Sequence, residues 1–369
     1  MPLDLKAFGY ESIQMIGTGH FGSVYLVREL MNPTRMLVCK VVAVENLNEK
    51  DRGLAEQEVS LLQRLCHRNI VQFENSFRME PGNAIALVME YCEGGDVRNV
   101  IRKQARLGMH LHESQVMSWL GQILEGLSYM HERRIIHRDL KTSNLFLKGP
   151  PPHRCLIGDF GISRVLEETL AAAQTVIGTP FYLCPEVCKK QPYSYKSDMW
   201  SLGACLYEMT MLRMAFKSNN LIDLVDRIVN DSFDPIEPGI FSDHVTRLIS
   251  VLLTKDPNNR PTADELMRDD YVRTFSMKHA DLPPPVSERP TCRPLTLRGR
   301  RNLPLSHFSV MDSATPSDTE VGLVTALQEI YNDVKPFPDA TTLLPGRVSI
   351  RPSPVAMNTL PPPKFTVLK

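Results

Sequence analysis

The chain lacks the marks of several protein classes. Its eight cysteines, Cys39, Cys66, Cys92, Cys155, Cys184, Cys188, Cys205 and Cys292, are scattered, and none forms a C-x-x-C pair. That spacing argues against a zinc cluster, and the cysteines read as reduced thiols of a cytosolic protein. Lysine plus arginine equal aspartate plus glutamate at 42 each, so no surplus charge points to nucleic acid or an acidic membrane as the main partner. No segment approaches the roughly 18–20 uninterrupted apolar residues of a membrane span. The stretch Met1–Phe8 carries Asp4 and Lys6 and has no apolar run of signal-peptide length. No internal repeat is present. What the chain does have is 43% hydrophobic residues in a length of 369. That suffices for one large two-lobed domain with an appendage, or for two ordinary domains.

Composition divides the chain in two. From about Tyr10 to about Phe275 the apolar periodicity is regular. Beyond Ala280 the sequence is rich in Pro, Ser, Thr and Arg and holds more than half of the 28 prolines. Such a segment cannot bury enough surface to offset its ordering entropy, so residues 279–369 are expected to form a mostly disordered tail. Val324, Leu327, Ile330, Tyr331 and Val334 recur at helical spacing, which predicts one short helix over 321–334. Within the first part, residues 10–48 alternate in β-branched patches that read as antiparallel strands. A helix is expected over 51–66 (Leu54, Val59, Leu61, Leu62, Leu65), and a further strand pair ends at Ile85–Met89. After Gly94-Gly95 the pattern turns helical, with Val116, Trp119, Leu120, Ile123, Leu124, Leu127 and Met130 on one face of 113–133. Strands first and helices later predict an α+β chain with a β-rich N-lobe and a helical C-lobe. The boundaries read as an N-terminal extension 1–9, a folded domain 10–278 (N-lobe 10–92, C-lobe 93–278) and the tail.

Four motifs carry chemistry. The first is Gly17-Thr18-Gly19-His20-Phe21-Gly22-Ser23-Val24, preceded by Ile16. Glycines there let backbone amides approach phosphate. A dinucleotide fold requires a helix directly after such glycines, whereas Val24-Tyr25-Leu26-Val27 is strand-like, so a hairpin lid over a nucleotide fits better. The second is Lys40, which is an ordinary surface lysine when taken alone. Paired with Glu58 on the following helix, it would hold its ammonium against the α- and β-phosphates of ATP; Glu45, Glu49 and Glu56 are competitors. The third is His137-Arg138-Asp139-Leu140-Lys141-Thr142-Ser143-Asn144. In it Asp139 can accept a hydroxyl proton, Lys141 can neutralise γ-phosphate charge and Asn144 can hold Mg²⁺. The fourth is Asp159-Phe160-Gly161, a carboxylate suited to Mg²⁺. Their order along the chain is what makes chance matches untenable.

With these residues in place the chain resembles the eukaryotic protein kinases over roughly residues 8–275. Pro185-Glu186, Arg260 and Asp198-Met199-Trp200-Ser201-Leu202-Gly203 extend the match. Lys141 and Thr179 are similar to serine/threonine rather than tyrosine kinases. Val88–Asp96, Gly158–Leu166, Gly178–Leu183 and Tyr195–Ser201, together with Val38, resemble the NIMA-related (Nek) kinases. The resemblance implies that Met89 is a gatekeeper and that Glu90 and Cys92 present hinge backbone to adenine. It implies that Val24, Val38 and Phe146 sandwich the ring and that Asp96 reaches the ribose. Leu62, Phe73, His137 and Phe160 would form the spine of the active state. Arg260 would pair with Glu186, and Asp198 would brace the catalytic loop.

The expected reaction is transfer of the γ-phosphoryl of MgATP to serine or threonine hydroxyls of protein substrates. Arg138 before Asp139 implies control by phosphate on the activation segment, with Thr175 the first candidate and Thr169 the second, set by an upstream kinase or by autophosphorylation. The family also suggests the cytoplasm, with the cytoskeleton, basal bodies, and flagella or cilia as settings. Rival readings are a pseudokinase scaffold or a serine/threonine kinase of another group. Three features depart from the family pattern. Cys184 stands where serine or alanine is usual, Lys148–Arg154 lengthens a turn expected at the surface, and the tail offers no coiled coil for dimerisation.

Overall fold

A computed structural model describes residues 4–19, 22–43, 65–79, 84–159, 180–218 and 220–280. Residues 51–64 of the helix expected over 51–66, with Glu58 and Leu62, lie outside the described residues. So do His20, Phe21, Phe160, Thr169, Thr175, Thr179 and the tail beyond Ala280. Leu65 and Cys66 are described and are not helical.

The N-terminal part is a five-stranded antiparallel sheet in the order β1-β2-β3-β5-β4. The strands are β1 (Tyr10–Gly19), β2 (Gly22–Glu29), β3 (Met36–Ala43), β4 (Phe73–Met79) and β5 (Ala84–Glu90). Alternation sorts the faces. Leu37 and Cys39 of β3 point into a core with Val27, Ala86 and Val88, leaving Val38 and Lys40 on the opposite face. Leu5, fully buried, completes that core, and Phe8 stacks on Phe77 at 3.9 Å. Leu5 and Phe8 therefore pack as part of the sheet layer. Gly22 opens β2 at φ +150°, and a Cβ there would lie 1.8 Å from the Val41 carbonyl oxygen. Only glycine lets the β1–β2 turn sit this close to β3.

The C-terminal part is helical, as the 3.6-residue spacing predicts. Its elements are α1 (Val97–Leu107), α2 (Glu113–Glu132), α3 (Pro185–Cys188), α4 (Tyr195–Met211), α5 (Leu221–Asn230), α6 (Asp243–Leu252), α7 (Ala263–Met267) and α8 (Asp270–Ala280). A two-stranded ribbon, β6 (Leu145–Lys148) and β7 (Arg154–Ile157), lies between α2 and α3. The α2 stripe from Val116 to Met130 is buried as read. Helix α4 starts at a Ser194/Ser197 capping box and is buried from Ser197 to Met211. It is the axle of the C-lobe, with α2, α6 and Phe216 packed around it. Pro150, Pro151 and Pro152 sit at the surface, but Lys148 and Arg154, read as part of the same turn, belong to the paired strands. Strand pairing supplied the register that turn residues alone did not.

Arg260 and Glu186 meet inside the C-lobe, side chains 0% and 3% exposed. Two bonds of 2.7 Å join them, and the remaining guanidinium donors go to the carbonyls of Thr254, Lys196 and Lys255. Every N–H of the arginine is thereby satisfied, and Ser197 donates to Glu186 at 2.6 Å. Burial pushes the Glu186 carboxyl up, but the bonds from Arg260 and Ser197 outweigh it and hold the group below the usual glutamate value. Its share of stability is therefore complete above the ordinary carboxylate pKa and is lost as pH falls through the folded value. Removing one partner of a buried pair strands the other charge. Glu186→Ala is thus expected to lower stability by about 3–5 kcal/mol, read as a shift of the urea midpoint with unchanged slope.

Candidate active site

Strand register gathers the upper half of the site. Directly opposed residues share a face of the sheet. Val24 lies opposite Lys40 and Lys40 opposite Leu87, while Leu26 lies opposite Val38 and Val38 opposite Met89. Val24, Val38, Lys40 and Met89 therefore look out on the side away from the Leu37–Cys39 core. Ile16, Gly17, Thr18 and Gly19 form the end of β1, whose pairing with β2 slips between Met15 and Gly17, and Ser23, second in β2, lies opposite Thr18. Met89 and Phe146 pack on a small cluster of Val71, Cys92 and Leu156. Asp96 bridges to Phe146, yet its carboxylate caps α1, accepting from Asn99 N–H at 2.8 Å. The side chain assigned to ribose thus also has a structural task.

The lower half is the loop between α2 and β6. Asp198, fully buried at the start of α4, is its brace. One oxygen accepts the His137 N–H at 2.9 Å and lies 2.9 Å from His131 Nε2. The other accepts the Arg138 N–H at 3.1 Å and the Tyr193 hydroxyl at 3.0 Å. Arg138 is thereby held in the left-handed region at φ +67°, as is Asp159 at φ +52°. Non-glycine residues persist there when their surroundings over-determine them, and such positions cluster at active sites. His137 accepts the Asp139 N–H at Nδ1 (3.2 Å), which leaves Nε2 to donate to the Gly158 carbonyl at 3.1 Å. This imidazole links the two loops that carry Asp139 and Asp159.

The functional groups then converge. Lys141 Nζ lies 2.7 Å from Asp139 Oδ2. Asn144 Nδ2 donates to the same carboxylate oxygen at 3.0 Å and to the Asp139 carbonyl at 2.8 Å. Lys40 Nζ reaches across from β3 to Asp159 Oδ1 at 2.6 Å. Burial pushes the Asp159 carboxyl up, but Lys40, with Lys141 beyond it, outweighs burial and holds it below the usual aspartate range. It is therefore ionised at neutral pH. The donor set fits a magnesium ion: an ionised Asp159, and an Asn144 amide whose nitrogen is committed to Asp139, leaving its oxygen as the ligand atom.

Of the sequence-predicted residues, Lys40, Asp139, Lys141, Asn144 and Asp159 are brought together. Glu58, His20, Phe21, Thr175 and Thr179 lie outside the described residues. Sequence reasoning missed His131 and Tyr193 on Asp198. It also missed a buried knot in which Thr142 Oγ1 donates to Glu208 at 2.7 Å and lies 3.1 Å from the Tyr182 hydroxyl, itself bonded to Glu208. It missed the ion pair of Lys148 with Glu90 as well. Thr142, Tyr182 and Glu90 stood within motifs, but nothing there pointed to these partners.

Residues 10–272 match the family described as Protein kinase domain. Human serine/threonine-protein kinase Nek5 is 39% identical over 270 residues, 73% of this chain and 37% of the relative. Mouse Nek1 is 38% identical over 263 residues, 71% of this chain and 21% of the relative. Rice Nek6 is 37% identical over 288 residues, 78% of this chain and 50% of the relative. The chain thus spans between about a fifth and a half of the length of these relatives.

The hinge cysteine yields a direct test. Cys92 is 8% exposed, and burial pushes its thiol up to about 12. Since the thiolate is the reactive form, it should carry about a thousandfold less thiolate at neutral pH than an ordinary cysteine. Peptide mapping after iodoacetamide treatment of native protein should find Cys92 unmodified, and modified once the protein is unfolded in urea.

Proposed function

Because the chain belongs to the protein kinase family, we propose that it is an ATP-dependent protein serine/threonine kinase of the Nek group. The observation that carries the reading is the convergence of Lys40, Asp139, Lys141, Asn144 and Asp159 from the sheet, the α2–β6 loop and the segment after β7. Five groups of this kind around one opening suit phosphoryl transfer, in which the protein positions reactants and stabilises charge.

In this reading the adenine of ATP lies between Val24 and Val38 above and Phe146 below. The backbone of Glu90 and Cys92 faces its edge, Met89 stands at its rear, and Asp96 lies toward the ribose. The glycine turn from Ile16 to Val24, His20 and Phe21 included, covers the phosphates. Lys40 steadies the α- and β-phosphates, with Glu58 as the partner proposed for it. Asp139 orients the serine or threonine hydroxyl and takes its proton as the γ-phosphoryl leaves ADP. Lys141, already against Asp139, neutralises charge on the transferred group. Asn144 and Asp159 would hold Mg²⁺, which supplies Lewis-acid neutralisation of the phosphate oxygens. Asp139→Asn is expected to lower phosphorylation of a mixed protein substrate by at least about a hundredfold, while MgADP still binds by calorimetry. Retained turnover would reject the assignment.

Regulation follows from Arg138, placed directly before Asp139 and fixed through its main chain by Asp198. A phosphate on the activation segment, with Thr175 first and Thr179 retained for the serine/threonine role, would meet this guanidinium by charge-assisted bonds. Mass spectrometry of active protein should find Thr175 phosphorylated, and Thr175→Ala should lower kcat; full activity in the unmodified protein would count against it. Serine- or threonine-bearing proteins are the proposed substrates, and cytoplasmic or cytoskeletal structures the proposed setting. Among the described residues no helix is long and apolar enough to cross a membrane.

A further inference from the structure

Glu90 closes β5 and Lys148 closes β6, and their side chains form an ion pair between the two lobes. We propose that Lys148 is a positioning residue for the adenine half of the nucleotide site. The inference rests on the kinase reading above and deepens it.

The Glu90 carboxylate is 11% exposed and has two partners. Oε1 accepts the Gln72 N–H at 2.6 Å, just before β4, while Oε2 takes the Lys148 ammonium. Glu90 N–H also donates to the Gln72 carbonyl at 2.9 Å. The hinge end of β5 is thereby fixed to the N-lobe through Gln72 and to the C-lobe through Lys148. Beside this tie the chain after the hinge runs along β6. Gly94 N–H bonds the Leu147 carbonyl at 2.9 Å, Leu147 N–H bonds the Gly95 carbonyl at 2.8 Å, and Gly149 N–H bonds the Glu93 carboxylate at 2.9 Å.

The consequence lies two residues back along β6, at Phe146. The roof of the adenine slot is in register with the hinge, since Val38 pairs with Met89 and Leu37 with Glu90. The floor is Phe146, on a different strand of a different lobe. Its spacing from the roof depends on how β6 hangs from the hinge, and Lys148–Glu90 is the charged link in that suspension. Without the ammonium, a mostly buried carboxylate faces the β6 end unpaired and gains by relaxing toward water. The fraction of molecules with the slot at ring thickness then falls, and apparent nucleotide affinity falls by that fraction. Lys40, Asp139, Lys141, Asn144 and Asp159, at the phosphate end, are untouched.

The test is a series at position 148 in the full chain, read by MgADP and adenosine binding in calorimetry and by steady-state kinetics in ATP. With the Lys148 end of the pair still 31% exposed, its loss corresponds to about a threefold to fivefold change in affinity. Lys148→Met should weaken MgADP and adenosine by that same factor and raise KM for ATP in parallel with kcat unchanged. Lys148→Arg should restore wild-type values, and Lys148→Glu should weaken binding further. Glu90→Gln keeps an acceptor for Gln72 but loses the charge, so it should weaken MgADP and adenosine binding by the same factor as Lys148→Met, and the double variant should show no added loss of affinity. Unchanged adenosine affinity in Lys148→Met, a fall in kcat without a rise in KM, or failure of Lys148→Arg to restore binding would each overturn the proposal. A wild-type chain that binds no nucleotide would instead reject the kinase reading beneath it.

Discussion

The carboxylate of Asp198 is the constraint on which the site depends. Moving an ion of this size out of water costs several kcal/mol even after relaxation, so a fully buried aspartate survives only if its lone pairs are spoken for. Here two main-chain N–H groups, a tyrosine hydroxyl and an imidazole nitrogen surround it. The cost of burial becomes a fixing force, because any excursion of residues 137–138 uncovers the charge. That force holds Arg138 in a backbone region non-glycine residues avoid and aims the following Asp139 and Lys141 outward. The chemistry is displayed by a loop, but it is positioned by the buried α4.

The same logic extends through His137. One ring nitrogen bonds the Asp139 N–H and the other the Gly158 carbonyl, so Asp139 and Asp159 are set relative to each other by a single imidazole. Gly158 is itself pinned: a Cβ there would come within 2.7 Å of Val71 and 2.8 Å of Phe146. The aromatic floor and the chain leading to Asp159 therefore pack too closely to shift independently.

Much of this was legible in the sequence, and the reason is local. The glycine turn, Lys40, the run from His137 to Asn144 and Asp159 are short spacings whose chemistry is contained in a few neighbouring residues. The α2 stripe and the alternation of β3 are equally local, and their buried faces follow the pattern. What was not legible depends on partners far apart in the chain. Lys148 meets Glu90 across 58 residues and Thr142 meets Glu208 across 66, and nothing near one member of either pair marks the other as its partner. Met1–Phe8 is too short for a period to show that Leu5 fills the N-lobe core. Asp96 was legible as a polar residue before a helix, but the family role for ribose hid its cap on α1.

Several ties join the lobes among the described residues, and the chemistry of three of them decides which can give. Asn69, fully buried, donates to Gln122 and to the Cys155 carbonyl, while its own carbonyl accepts the Ile157 N–H at 2.8 Å. Breaking such bonds strands buried polar groups at about 1–3 kcal/mol each. Glu90 and Lys148 form the second tie, with the carboxylate mostly shielded. Lys40 and Asp159 form the third, and their side chains are 17% and 36% exposed. An ion pair that open to water is worth about 1 kcal/mol or less, so exchanging it for a phosphate or a metal ion costs little. The costliest bonds to break lie at the loop before β4, and the pair that is readily exchanged is Lys40 with Asp159, between the charged groups themselves. That arrangement suits the proposed site, in which one end of a triphosphate is held while the charged end trades partners.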